Sequence, residues 1–357
     1  MTQQQLQQQQ EYLNFINSLR SEATITNYRR ALAHYMRFTN SNVSELLKHD
    51  NKAIESQIVK YLLDMRQQKL CRGTLNLRLA ALKKFYDMND VLLNWKKISQ
   101  YLGEDTKRFK DRAYTTEEIQ QLLTKADERM RVVILLLAST GMRIGAIPDL
   151  KIRHLTKIES CKLYQLVIYE NCREEYYCFC SPECAAAINS YLQYRERHYE
   201  NITPDSPLIR EVFNRRSVAK NPQRMQLNTL NSLLRDLILA SGIQKIEHLT
   251  ETRTNGRIKK EIAMSNGFRK KVTTDMIHSK VNPEARELLL GHSIQLGDSY
   301  YRPQPDELLK EYLKCVDLCT INNEFRLQRK VKMLEVRADR IEELSKTVEM
   351  VKRQLGI

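Results

Sequence analysis

Two short runs carry strand character in a chain that elsewhere reads as helices. Leu163 to Tyr169 and Glu175 to Cys180 are rich in β-branched and aromatic residues, and the turn Glu170 to Glu174 joins them as a hairpin. An isolated hairpin is at best marginally stable in water, so helices must supply the core that covers it. The expected fold class is mainly α with a small β-hairpin or sheet, an α+β architecture.

The helices before the hairpin form a block of their own, residues 11–102. A short helix ends in a break near Ser21 to Thr24. In the next helix Ile25, Tyr28, Leu32 and Tyr35 recur at three- and four-residue steps and mark one apolar face. Ile54 to Met65 and Leu75 to Met88 are further amphipathic candidates, the second entered through Gly73 and Thr74. Residues 1–110 hold 18 Lys and Arg against 10 Asp and Glu, over half of the chain's net +15 in under a third of its length. Such a block suits a DNA clamp; a helical bundle with a solvated charged face fits the same counts. The glutamine-rich residues 1–10 are expected to be disordered.

Residues 103–112 are polar and aperiodic and read as a linker. Thr115 then stands three residues before Glu118, a capping-box pattern that opens a helix and a second domain, placed at residues 113–320. Arg129 to Ser139 is apolar enough for a core helix, and Gly141 turns the chain after it. Ser181 and Pro182 start another helix, serine as N-cap and proline at the first helical position. Segment 324–355 differs from the rest. Leu327, Leu334, Ile341, Val348 and Leu355 fall at strict seven-residue intervals; Val331 and Ala338 add a second position, and Leu344 and Val351 take over at a shifted one. A long helix with coiled-coil character is expected, either self-associating or packed on its own protein.

Bulk properties narrow the class. The longest apolar run, Val132 to Ala138, is far short of the ~20 residues that span a bilayer. The opening MTQQQLQQQQ lacks the basic start and apolar stretch of a secretory signal. A cytoplasmic, nucleoid-associated protein without a membrane partner is expected. Among the eight cysteines, Cys172, Cys178, Cys180 and Cys184 crowd one region without a C-x-x-C pair or a close histidine. Reduced structural thiols are expected there, with no metal. A pI near 9.4 points to nucleic acid, because Lys and Arg neutralise phosphates and release counterions.

Three separate pieces carry candidate chemistry. They are Thr140-Gly141-Met142-Arg143; Asn266-Gly267-Phe268-Arg269, followed by Lys270 and Lys271; and Gly291-His292, with Tyr300 and Tyr301 eight and nine residues beyond the histidine. Taken singly, each arginine reads as a salt-bridge partner and each tyrosine as core. Taken together, two guanidiniums and an imidazole suit a phosphodiester. Arginine grips phosphate oxygens bidentately and stays charged at any working pH. Charge grows on the non-bridging oxygens during displacement at phosphorus, and prepositioned cations lower that barrier. Histidine donates a hydrogen bond or moves a proton, and tyrosine can serve as nucleophile. No metal or cofactor is required.

These boxes resemble those of the tyrosine recombinase family, the phage integrases and their archaeal relatives. T-G-M-R-I resembles the family's first arginine box, G-F-R the second, and E-L-L-L-G-H-S the family's L-L-G-H-S, the most specific piece. The match runs from about Tyr114 to Leu313; the preceding helices resemble the family's core-binding domain, and S-Y-Y-R-P before a long tail looks most like archaeal integrases. The resemblance implies that Arg143, Arg269 and His292 activate the scissile phosphate. Tyr301, nine residues past the histidine, would attack it to give a 3′-phosphotyrosyl link and a free 5′-hydroxyl. It further implies a grip on double-stranded DNA between two domains and a homo-oligomer, a tetramer, on that DNA.

The chain departs from the family pattern in three places. Ala146 stands where a carboxylate usually follows the first arginine, and Asn266 stands where the second box usually begins with His or Lys. The hairpin turn lacks the family's lysine, the usual proton donor to the leaving hydroxyl. Arg173 is the only cation in that turn, a poor proton donor but a good electrostatic one, and Lys162 before the first strand is a weaker substitute. A site-specific recombinase of a mobile element is the leading expectation. A catalytically impaired, sequence-specific DNA-binding regulator of the same fold is the alternative, and a structural protein that coats DNA is a third reading.

Overall fold

The computed structural model describes residues 10–103, 111–212, 223–243, 262–294 and 301–355. Tyr300, residues 1–9 of the glutamine-rich start and most of the 103–112 stretch lie outside them. The chain divides into two compact units: one holds the helices up to Ser99, the other the helices and sheet from Thr116 onward.

Among the described residues the regular elements of the first unit are all helices: α1 Gln10–Asn17, α2 Glu22–Thr39, α3 Val43–Leu46, α4 Asn51–Gln67, α5 Arg72–Asp87 and α6 Trp95–Ser99. The break between α1 and α2 ends in a cap, in which the Ser21 side chain accepts from the Thr24 backbone N–H. Thr24 therefore lies inside α2. The spaced residues of α2 do face inward: Leu32 and Tyr35 are buried, Ile25 and Tyr28 half-buried. Leu32 and Tyr35 pack with Phe15, Tyr61, Leu62, Phe85 and Tyr86 into one core, with Tyr28 against it. The entry to α5 differs from the Gly73–Thr74 reading, because Cys71 occupies the N-cap.

The second unit opens with α7 Thr116–Lys125 and α8 Glu128–Thr140. The capping box of α7 is complete: Glu118 N–H donates to the Thr115 hydroxyl at 3.2 Å, and Thr115 N–H donates back to the Glu118 carboxylate at 2.8 Å. Every residue of α8 from Val132 to Thr140 is buried, so this helix is the centre of the core. Gly141 caps its end in the left-handed conformation. A 3₁₀ stretch, Ile144–Asp149, follows and leads to a three-stranded antiparallel sheet in the order β1-β2-β3. The strands are β1 Leu155–Ile158, β2 Leu163–Ile168 and β3 Tyr176–Phe179. Ile158 pairs with Leu163 at one end of β2, and Ile168 with Tyr176 at the other.

Among the described residues, five helices follow before the long terminal one: α9 Pro182–Arg197, α10 Leu227–Ala240, α11 Met264–His278, α12 Pro283–Leu289 and α13 Pro305–Cys319. The Ser181 side chain caps α9 with Pro182 in its first turn. The segment after α9 is pinned by a buried ion cluster. Arg195 meets Glu200 at 2.6 and 3.1 Å, Arg210 meets the same carboxylate at 2.8 Å, and Arg195 also donates to the carbonyls of Pro207 and Leu208. All eight cysteines are free thiols, and no group of metal-ligating side chains occurs among the described residues. The final helix, α14 Asn323–Leu355, leaves Leu327, Leu334 and Ile341 more than 60% exposed. No described helix is long and apolar enough to cross a membrane.

Candidate active site

The three sequence boxes meet at the ends of three helices. Arg143 follows the Gly141 cap of α8, Arg269 sits in the second turn of α11, and Gly291-His292 follows α12. Gly291 is the meeting point. Its φ of +68° lies in the left-handed region, where only glycine is free of strain. A Cβ at this position would come within 2.4 Å of the Tyr176 ring. The backbone thus runs flush against an aromatic face at the end of β3. Its carbonyl accepts a hydrogen bond from Arg143 Nη1 at 3.3 Å.

Arg269 is the anchored cation of the pair. It donates from Nη1 to the Gly141 carbonyl at 2.8 Å, and from Nη2 to the Leu290 carbonyl and His292 Nε2, both at 2.6 Å. Two of these acceptors end helices α8 and α12, where the helix dipole favours a cation. Burial lowers the Arg269 pKa, and the like charge of Arg143 lowers it further. Two guanidiniums held this close repel each other until an anion arrives between them, so the geometry favours a phosphate.

The histidine is held from both sides. An arginine N–H only donates, so Nε2 of His292 must be the accepting nitrogen. Nδ1 then carries the proton and donates to Glu287 Oε2 at 2.6 Å. Burial works to raise the Glu287 pKa, but the hydrogen bonds from His292 and Arg286 outweigh it and hold the carboxyl below the usual range. Glu287 fixes the ring's tautomer, and the sequence boxes alone did not reveal it. The available signal was its place on α12, five residues before the histidine.

The remaining candidates are less tightly gathered. Asn266 is exposed on the first turn of α11, one turn before Arg269 and on the same face. Arg173 is exposed in the β2–β3 turn. Lys162 lies just before the far end of β2 from that turn, six residue steps or roughly 20 Å from Ile168 along the strand. Ala146 is buried in the core, where an unpaired carboxylate would be costly. Lys270 and Lys271 are engaged elsewhere, with Asp111 and Asp275. Tyr301 is 36% exposed just before α13. Partial burial raises its pKa, as do the carboxylates Glu307, Glu311 and Glu284. Among the described residues no hydrogen bond joins it to Arg143, Arg269 or His292.

Comparison with known proteins agrees with this fold. Residues 8–89 match the model of the phage integrase N-terminal SAM-like domain, and residues 112–306 match that of the phage integrase family. Among solved structures, the XerH site-specific recombinase bound to palindromic difH substrate, a post-cleavage complex, is similar at 16% identity and a TM-score of 0.53, over 87% of this chain and 80% of that one. A lambda integrase dimer bound to a COC′ core site is similar at 12% identity and a TM-score of 0.52, over 85% of this chain and 97% of that one. No curated protein matches the sequence. With a catalytic-domain match over more than half its length, the chain belongs to the phage integrase family, the tyrosine-type site-specific recombinases.

Proposed function

We propose that this chain cuts and rejoins double-stranded DNA through Tyr301, serving the integration or excision of a mobile element. The observation that carries the reading is the convergence of Arg143, Arg269 and His292 around Gly291. Arg143 and Arg269 bind the non-bridging oxygens of the scissile phosphate and stabilise the charge that grows there. With the phosphate bound, Nε2 of His292 exchanges its hydrogen bond from Arg269 for one from Tyr301 and takes the phenol's proton as it attacks. The bond from phosphorus to the 5′-oxygen breaks, leaving a 3′-phosphotyrosyl ester. Attack by a second strand's 5′-hydroxyl reverses the step and exchanges strands. Asn266, exposed one turn before Arg269, adds a neutral hydrogen bond to the phosphate, and Arg173 adds positive charge at the hairpin. Two duplexes must be cut in concert, so the working form is a homo-oligomer on DNA, a tetramer, with α14 linking protomers.

The test is a duplex nicked beside the cleavage point, so that the released fragment diffuses away. Incubation without metal is followed by a denaturing gel. The intact chain forms a covalent protein–DNA band, Tyr300→Phe keeps it and Tyr301→Phe loses it. An intact chain that binds this duplex tightly but never forms the band is instead a DNA-binding regulator. Ala146 and Asn266 favour that second reading, because both replace polar groups that the family carries.

A further inference from the structure

Breaking the phosphodiester leaves a 5′-alkoxide, which needs a proton as it departs. The three groups around Gly291 do not provide one: the guanidiniums hold theirs too tightly, and His292 takes its proton from Tyr301 on the attacking side of phosphorus, opposite the departing oxygen of an in-line displacement. Arg173 fails for the same reason as the other arginines, and Lys162 stands at the wrong end of β2.

Tyr169 is better placed. It is the first residue after β2 and holds an unusual backbone, φ +57°. A bulky side chain in the left-handed region is strained, and such strain persists only where the surroundings enforce it. Here the enforcement is visible. The Tyr169 carbonyl closes the turn by accepting from Cys172 N–H at 2.9 Å. Its ring packs against Tyr176 with centroids 6.4 Å apart, and Tyr176 is the ring that lies flush on Gly291. Gly291 in turn accepts from Arg143. The Tyr169 phenol is half-buried and takes no hydrogen bond among the described residues. Burial raises its pKa, while the positive charges of Arg143 and Arg269 act to lower it.

We propose that Tyr169 is the general acid of strand cleavage, a catalytic residue in addition to Tyr301. As Tyr301 Oη bonds to phosphorus, the electron pair of the breaking P–O bond passes to the 5′-oxygen. The Tyr169 hydroxyl proton transfers to that oxygen. The resulting phenolate sits beside two guanidiniums, and it takes the proton back from the incoming 5′-hydroxyl in the rejoining step. A phenol titrates near the same pH as a lysine ammonium, so it gives up a proton where arginine does not.

The inference rests on cleavage through Tyr301, and the experiment separates the two. Tyr169→Phe, which keeps the ring, is compared with the intact chain on two nicked duplexes. One is ordinary; in the other, sulfur replaces the 5′-bridging oxygen, and a thiolate leaves without needing a proton. Tyr169→Phe should cleave the ordinary duplex ~100-fold or more slowly, the usual loss for a general acid. It should cleave the sulfur duplex at close to the intact rate. Equal slowing on both duplexes makes Tyr169 a packing residue and overturns the proposal, as does an unchanged rate on the ordinary duplex. An intact chain that forms no adduct on either duplex overturns cleavage through Tyr301, and this proposal with it.

Discussion

Replacing Gly291 by alanine tests whether backbone and ring are pressed together as described, and the size of the effect follows from two contributions. The left-handed conformation costs an L-residue ~1–2 kcal/mol. The lower entropy of the unfolded alanine chain offsets ~0.4–1 kcal/mol of that. Gly242, at φ +72° with nothing within 4 Å of a built Cβ, isolates this backbone contribution. Gly242→Ala should therefore lower stability by about 1 kcal/mol. Gly291→Ala adds a methyl carbon 2.4 Å from the Tyr176 ring, and Tyr176 is only 8% exposed, so the ring has little room to retreat. Overpacking of this kind costs a further ~1–3 kcal/mol, for a total of about 2–4. Urea unfolding of both variants, followed by a probe of the second unit, measures the difference. A Gly291→Ala midpoint equal to that of Gly242→Ala would refute the flush packing, and with it the chain of contacts from Tyr169 to the arginines. Displacement of Tyr176 should also slow strand cleavage by Gly291→Ala, while Gly242→Ala cleaves normally.

Two further outcomes are expected. Glu200→Gln leaves Arg195 and Arg210 facing a neutral amide in the interior, and uncompensated buried charge costs ~3–5 kcal/mol, a fall in melting temperature of roughly 10 °C. Burial pushes the Glu200 pKa up, but the hydrogen bonds from Arg195 and Arg210 prevail and hold it below the usual range. Its contribution is therefore complete above the ordinary glutamate pKa and is lost as pH falls through the lowered folded value. The stability gap between the intact chain and Glu200→Gln should close in acid; a gap independent of pH would contradict the cluster. For the histidine clasp, Glu287→Ala should slow adduct formation by about tenfold to a hundredfold, the loss of one charge-assisted hydrogen bond. Glu287→Gln, which still accepts from Nδ1, should recover most of that rate; equal loss in both variants would argue against tautomer control.

Sequence and structure agree most closely where a local signal decides the outcome. The Thr115–Glu118 and Ser181–Pro182 caps need only neighbouring residues, and the apolar run of α8 has nowhere to go but the core. Strand β1 was not legible. Its four residues, Leu-Thr-Lys-Ile, lack the alternation of a half-buried strand, and pairing with β2 alone makes it one. The site divides the same way. Arg143, Arg269 and His292 stand in recognisable boxes, so they can be named from the sequence. Glu287 and Tyr169 cannot, because their relevance depends on a ring tautomer and on a left-handed backbone at the end of β2. Tertiary contact creates both conditions.

The exposed stripe of α14 has a geometric consequence. On an ideal helix, residues seven apart drift by only about 20°, so Leu327, Leu334, Ile341 and Val348 trace a slowly turning spine. Val331 and Ala338 flank it four residues on, about 40° to one side, whereas Leu344 and Val351 flank it three residues on, about 60° to the other. The apolar surface therefore swings through about 100° near Ile341, beyond the drift of the spine. A straight neighbour seated on the first half loses the second within a turn. Each half is only a few turns long, too little to hold a separate helix in water on its own. If protomers attach through this tail, as proposed above, the geometry makes the attachment conditional: weak between chains that meet by diffusion, and effective once something else has already set them side by side.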